Sequence, residues 1–476
     1  MKVTLIGAGS LEFASRLTAD IASFGALAGT EFALYDIDAE RLGYAARITD
    51  DIFRRGGYAQ ASYTATTDRE LALMDADVVI ISILTGGFEA IRAEIDIPAR
   101  YGIDQAIGDT LTPGGVMRCL RTLPALVDIG RDVMRLCPNA WVLNYTNPMA
   151  MLCWGMGEAV PGLKLVGLCH SVQHTTAQWA HRLGVPIREV SYDSAGLNHQ
   201  AWITEFAHAG RDLLPEIRAL ALQPELWKED SSRLEYVKHL GFPVTEMSGH
   251  NSEYTGWFRK NPALVARYCP GGGWNGGSGF IKTLYDRPDW RERMERMASG
   301  AEPVVLKRSH EYGSHIVNAL AGGGDTRIYA NVRNANVRNA NVPNRVPDGQ
   351  DDAGAPLIDN LPTDACVEVR CEVSPAGIRP VRYGRLPSHL AAINSMQVGM
   401  QRLAVEAALE CDPEKVFQAM ALDPLTAAVC TLDEIRAMTR ELMQAHAEWI
   451  PQFEGRLPAA RPVLAAPAMA SESGTT

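Results

Sequence analysis

The residues able to do chemistry gather in four short segments of the 476-residue chain. Asn144-Tyr145-Thr146-Asn147-Pro148 and Cys169-His170-Ser171 each follow a short apolar run, and Gly196-Leu197-Asn198-His199 follows an extended segment. A thiol at the end of a core strand is most often packing, and an isolated histidine is most often structural. Three segments that each bring polar groups to a strand end point instead to a site, because ligands of parallel sheets bind beyond the carboxyl ends of the strands. The fourth segment, Gly7-Ala8-Gly9-Ser10, turns from a strand into a helix. Glycines there let a pyrophosphate approach the backbone at a helix N-terminus. The third glycine of G-x-G-x-x-G is replaced by Glu12, so the turn alone also fits a plain strand–helix connection. Asp36 shifts the balance. It lies 27 residues after Gly9 at the end of the second strand. A carboxylate there accepts hydrogen bonds from the adenosine ribose and repels a 2′-phosphate, which favours NAD over NADP. Asp38 is a less well-placed competitor.

These segments need a scaffold, and the chain alternates strand and helix patterns to build one. Apolar runs at 2–6, 31–38, 61–65, 77–83, 140–145 and 164–169 read as strands, with helical stretches at 12–27, 39–55 and 116–136. The run DVVIISI is continuously apolar, as a strand covered on both faces must be. The pattern predicts an α/β protein with a Rossmann-type, doubly wound parallel sheet over residues 1–195. Signals beyond residue 200 are mixed. A C-terminal α/β (α+β) domain for substrate and oligomerisation is expected over 196–460, with a disordered tail over 461–476. The Gly- and aromatic-rich stretch 262–280 reads as a loop, and 388–447 reads as helical. A tandem RNANV duplication at 331–344 reads as a loop expansion, too short for a repeat architecture.

A formal net charge of −11 argues against nucleic-acid and anionic-membrane partners. No apolar stretch reaches transmembrane length, and the N-terminal run lacks a signal-peptide cleavage site. Nine scattered cysteines read as reduced thiols, and hence as a cytoplasmic protein.

The motifs GAGS, YDID, NYTNPMAM, GLCHSVQHT, GLNHQAW and SGHNSEYTGWFRK, in this order and spacing, resemble glycoside hydrolase family 4. LPSHLAAINSMQ (386–397) and VEVRCEV (367–373) extend the likeness, which covers roughly residues 1–455. Within the family, CHS together with GHNSEY resembles the melibiase-type α-galactosidases, whereas members acting on 6-phosphoglycosides carry CN or CD at the first of these positions. The resemblance implies an NAD- and Mn²⁺-dependent hydrolase that departs from the usual two-carboxylate scheme. The sugar C3 hydroxyl is transiently oxidised, a base removes the acidified C2 proton, and the C1–O bond breaks by elimination. Water then adds and C3 is reduced again.

By the same resemblance, Cys169 and His199 are metal ligands, Tyr254 is the C2 base and Asn147 binds the sugar. His170 stands where a general acid stands in phosphoglycosidase members, and a purely binding role is open to it. Asp109 in IGDTLTPGG matches an acidic position near cofactor and sugar. A homodimer or homotetramer is also implied. The alternatives are an α-glucosidase, α-galacturonidase or α-glucuronidase of the same family, or a metal-assisted sugar dehydrogenase. A non-catalytic NAD-binding regulator has no need of a Cys–His pair, and a plain dehydrogenase has no need of that pair plus Tyr254.

Overall fold

The computed structural model describes residues 1–461 apart from 11, 272, 274, 275 and 336–354. Among these, one mixed sheet forms the frame. Its strands are β1 (Lys2–Ile6), β2 (Glu31–Tyr35), β3 (Ser62–Thr66), β4 (Val78–Ile81), β5 (Trp141–Asn144) and β6 (Leu165–Leu168). The chain continues through β7 (Val190–Leu197), β8 (Gln200–His208), β9 (Arg211–Asp212), β10 (Thr326–Arg333), β11 (Cys366–Ser374) and β12 (Gly377–Pro380). Their order is β3-β2-β1-β4-β5-β6-β10-β11-β7-β8-β9, with β12 on β11.

The first six strands pair in parallel, and their order is that of a dinucleotide-binding Rossmann sheet. The expected α/β class therefore holds. β4 explains why: Val78, Val79, Ile80 and Ile81 are all at most 2% exposed, so both faces are covered. Each such side chain contributes about 1.5–3 kcal/mol of burial. β3 lies at the edge and is largely exposed, which is why its sequence, SYTAT, carries so few apolar residues.

β10 pairs antiparallel with β6, placing Ala330 opposite Leu168 and Asn331 opposite Gly167. From there the sheet runs antiparallel through β11 to the hairpin β7–β8, so it is continuous across residue 195. That continuity brings the residues after β7 back toward the end of β6.

Several boundaries differ from expectation for local reasons. β2 stops at Tyr35 because Asp38 caps the next helix, Ala39–Gly56, accepting from the N–H groups of Glu40 at 2.9 Å and Arg41 at 3.1 Å. Such a cap is worth about 1 kcal/mol. The first helix is Phe13–Ala22, followed by a separate 3₁₀ turn, Gly25–Leu27. Residues 262–280 are not all loop: Pro262–Tyr268 is helical, capped by the Asn261 side chain with proline at its start. The helical region near the C-terminus divides into Ser388–Glu410, Pro413–Leu422, Pro424–Val429 and Leu432–Ala445. The RNANV duplication begins inside β10, and its residues from 336 lie outside the described ones, as does the tail from 462. Among the described residues no helix is long and apolar enough to cross a membrane.

Candidate active site

The glycine turn and Asp36 meet directly. Gly7 has φ +87°, and a Cβ on it would lie 2.1 Å from the Ser82 carbonyl oxygen at the end of β4. Only glycine fits there. The Gly9 N–H donates to Asp36 Oδ2 at 2.8 Å, and the Asp38 N–H donates to Oδ1 at 3.0 Å. Asp36 thus anchors the turn. Ser10 Oγ accepts from the Ala14 N–H at 3.1 Å, and Glu12 makes no side-chain cap. The helix Phe13–Ala22 opens directly after the glycine turn, an arrangement that fits a phosphate.

Beyond the ends of β5 and β6 the catalytic-type residues converge. Cys169 directly follows β6. His199 occupies the two-residue turn of the β7–β8 hairpin with φ +63°, a left-handed conformation that costs a non-glycine residue about 1–2 kcal/mol. Its Nε2 lies 3.0 Å from Cys169 Sγ. Its Nδ1 faces Thr110 Oγ1 at 2.9 Å and the Tyr254 hydroxyl at 3.0 Å. Burial alone would raise the Cys169 thiol, but the His199 imidazole outweighs it and holds the thiol down at about 7. Conversely burial opposes charge on His199, and Cys169 with Glu246 lifts it to about 9. A half-buried thiolate beside a buried imidazole is a donor set that fits a divalent metal.

Glu246 completes this cluster, with Oε2 3.4 Å from His199 Nε2. Burial would push its carboxyl up, but His199 and His250 hold it well below the usual range. Cys169, His199 and Glu246 each place a ligand atom within 4.8 Å of the others, and Asp109, His199 and His250 form an overlapping set.

Asp109 is the hub of the neighbouring network. It accepts from Thr110 Oγ1 at 2.8 Å and Asn147 Nδ2 at 2.9 Å, and pairs with His250 Nε2 at 3.0 Å. Arg118 lies 3.8 Å away. Burial opposes its charge, yet His250 and Arg118 keep the carboxyl well below its ordinary range.

Tyr254 is 1% exposed, and burial, reinforced by Asp109, Glu246 and Glu253, pushes its hydroxyl well above the ordinary tyrosine value. The phenol therefore carries its proton. His170 contacts Glu311 through Nε2 at 2.5 Å. Burial works against its charge, but Glu311 raises it to about 9, so it too carries a proton.

All ten residues singled out in the sequence occupy these two regions: Gly7, Gly9, Ser10 and Asp36 in the first, Asp109, Asn147, Cys169, His170, His199 and Tyr254 in the second. Sequence reasoning missed Glu246, His250 and Glu311. It also missed Glu253, whose carboxylate accepts the N–H groups of Ala106, Ile107 (2.6 Å) and Gly108 (2.9 Å) and so fixes the loop that carries Asp109. His250 and Glu253 lie inside GHNSEY, where histidine and glutamate beside Tyr254 were a visible signal; Glu311 had none. The helix Ser388–Glu410 supports the site from behind. Asn394 Nδ2 donates to the Gln200 carbonyl at 2.9 Å, and Gln397 Nε2 donates to the Tyr254 carbonyl at 3.2 Å.

The chain is similar to several known proteins. The chain is 36% identical to an alpha-galactosidase of Bacillus subtilis over 467 residues, covering 95% of this chain and all of that one. Its fold matches the crystal structure of Bacillus subtilis lplD with a TM-score of 0.80 at 27% identity, covering 93% of this chain and 99% of that one. It also matches a 6-phospho-alpha-glucosidase from gut microorganisms, solved in complex with NAD and Mn²⁺ (TM-score 0.72, 20% identity, coverage 94% and 98%), a likeness of fold. The model of the family 4 glycosyl hydrolases matches residues 2–185 and that of their C-terminal domain residues 194–426, and the chain belongs to this family.

Proposed function

We propose that this chain is an NAD- and Mn²⁺-dependent glycosidase acting on α-galactosides. The observation that carries the reading is His199, which links the two halves of the chemistry: Nε2 faces Cys169 and Nδ1 faces Tyr254. When bound, NAD⁺ supplies a hydride acceptor for the sugar C3 hydrogen, and the divalent cation supplies a Lewis acid for the C2 and C3 oxygens.

The chain's own residues do the rest. The Gly7–Ser10 turn and Asp36 would hold the dinucleotide, and Cys169 and His199 would hold the cation. Tyr254, oriented by its contact with His199 Nδ1, exchanges a proton at sugar C2. A tyrosine serves as a base only beside positive charge, which the divalent cation held by Cys169 and His199 would supply. Asn147, fixed by Asp109, presents its amide to a sugar hydroxyl. His170, protonated against Glu311, protonates or binds the leaving oxygen.

The 36% identity to an alpha-galactosidase supports the choice of galactoside. The free state of all nine cysteines supports a reducing, cytoplasmic setting. A homodimer or homotetramer follows from the family resemblance. The test is hydrolysis of nitrophenyl α-galactoside, with the α-glucoside and α-galacturonide in parallel. Activity is expected to vanish on removing nucleotide or adding a chelator, and to return with NAD⁺, Mn²⁺ and thiol. Full activity in verified nucleotide-free, chelated protein would refute the reading.

A further inference from the structure

Resting on that reading, we propose that Glu246 is a third protein ligand of the cation site, completing a Cys169–His199–Glu246 set. Two ligands about 2.1–2.3 Å from a cation and roughly at right angles lie about 3 Å apart. The Cys169 Sγ–His199 Nε2 separation of 3.0 Å and the His199 Nε2–Glu246 Oε2 separation of 3.4 Å have that spacing.

The overlapping set of Asp109, His199 and His250 is less suited. The Asp109 oxygens already accept from Thr110, Asn147 and His250 at 2.8–3.0 Å. His199 turns its Nδ1 toward that side, where Thr110 and Tyr254 occupy it. Its Nε2 faces Cys169 and Glu246 instead. The Glu246 carboxylate has looser neighbours, with His199 at 3.4 Å and His250 Nδ1 at 3.5 Å, and its side chain is only 12% exposed. The backbone also holds it there at some cost. Glu246 has φ +74°, as does His199 at +63°, and two strained non-glycine residues facing one point mark a site that the fold maintains. A carboxylate oxygen also makes chemical sense beside a thiolate, since Mn²⁺ prefers oxygen donors.

The experiment is Mn²⁺ titration of the full-length, metal-stripped, reduced protein, following free Mn²⁺ by electron paramagnetic resonance. Glu246→Gln should weaken Mn²⁺ binding at least tenfold while leaving NAD⁺ affinity unchanged. Glu246→Asp keeps the charge but withdraws the oxygen by one methylene, and should weaken binding comparably. Glu246→Gly suits the left-handed backbone, so it provides a folded variant should the others misfold. Asp109→Asn should weaken Mn²⁺ binding less than Glu246→Gln does. Parent-like Mn²⁺ affinity in Glu246→Gln, rescue by Glu246→Asp, or a loss in Asp109→Asn as large as in Glu246→Gln would each overturn the assignment. Cys169→Ser separates the two levels. If it too binds Mn²⁺ like the parent, the cation site itself is wrong; if it loses Mn²⁺ while Glu246→Gln does not, only the third ligand is wrong.

Discussion

Replacing Tyr254 by phenylalanine separates a structural role from a chemical one, because the two predict effects of different size. The hydroxyl contacts His199 Nδ1 at 3.0 Å and also bonds the Thr110 side chain. A buried hydrogen bond of this kind is worth about 0.5–1.5 kcal/mol net. Its removal leaves Nδ1 partnered by Thr110 Oγ1 at 2.9 Å, and the phenyl ring keeps the apolar burial. Folding should therefore suffer by about 1 kcal/mol, a drop of about 1 °C in Tm for a chain of 476 residues. If the oxygen handles the C2 proton, turnover should fall by about 10²- to 10⁴-fold, or about 2.7–5.5 kcal/mol of transition-state stabilisation. The assay is hydrolysis of an α-galactoside in D₂O, with the released sugar analysed by nuclear magnetic resonance. The parent enzyme should place deuterium at C2, which direct displacement at C1 cannot do. Tyr254→Phe should lose both turnover and exchange, although a single hydride transfer that reduces NAD⁺ can survive. Full retention of the C2 hydrogen by the parent, together with an active Tyr254→Phe variant, would refute the elimination mechanism and the role given to Tyr254.

The cofactor half of the site yields two further expectations. Gly7→Ala drives a Cβ to 2.1 Å from a backbone oxygen that has no side-chain freedom, at φ +87°. A loss of about 2–5 kcal/mol, combining overpacking and left-handed strain, should appear as a lower Tm and lost NAD⁺ binding; an unchanged melting curve would contradict the turn geometry. Asp36→Asn can accept only one of the N–H groups of Gly9 and Asp38 that the carboxylate now accepts. NAD⁺ affinity should fall at least tenfold, from about 1.5–3 kcal/mol per charged hydrogen bond, while Mn²⁺ affinity is retained. Equal weakening of both ligands in calorimetry would mean general damage to the fold.

By itself the sequence determined the nucleotide half of this protein. A Rossmann unit is built from local signals: apolar runs such as VVII, a glycine turn, and a carboxylate a fixed distance along the chain. Each depends on neighbours within about 30 residues, so the parallel α/β class and the place of Gly7, Gly9 and Asp36 were legible. The second half of the site was legible only through motifs that resemble a family, because its geometry depends on distant parts of the chain. His199 reaches Cys169 because β10 and β11, more than 120 residues further on, insert between β6 and β7. No periodicity reports such an insertion. Element ends were misplaced where capping residues compete with the apolar pattern: β2 stops short of Asp38, and a helix follows Asn261 inside a stretch read as loop. Tertiary structure alone decided which carboxylates matter. Glu246 and Glu311 are unremarkable in sequence, and Glu253 stands out only by its place in GHNSEY, since charged residues are usually solvated. Burial beside imidazoles or backbone N–H groups makes one a candidate ligand, one the staple of the Asp109 loop and one the partner of His170. The physical reason is that the chemistry of a carboxylate is set by its desolvation and its partners, and both are properties of the folded chain.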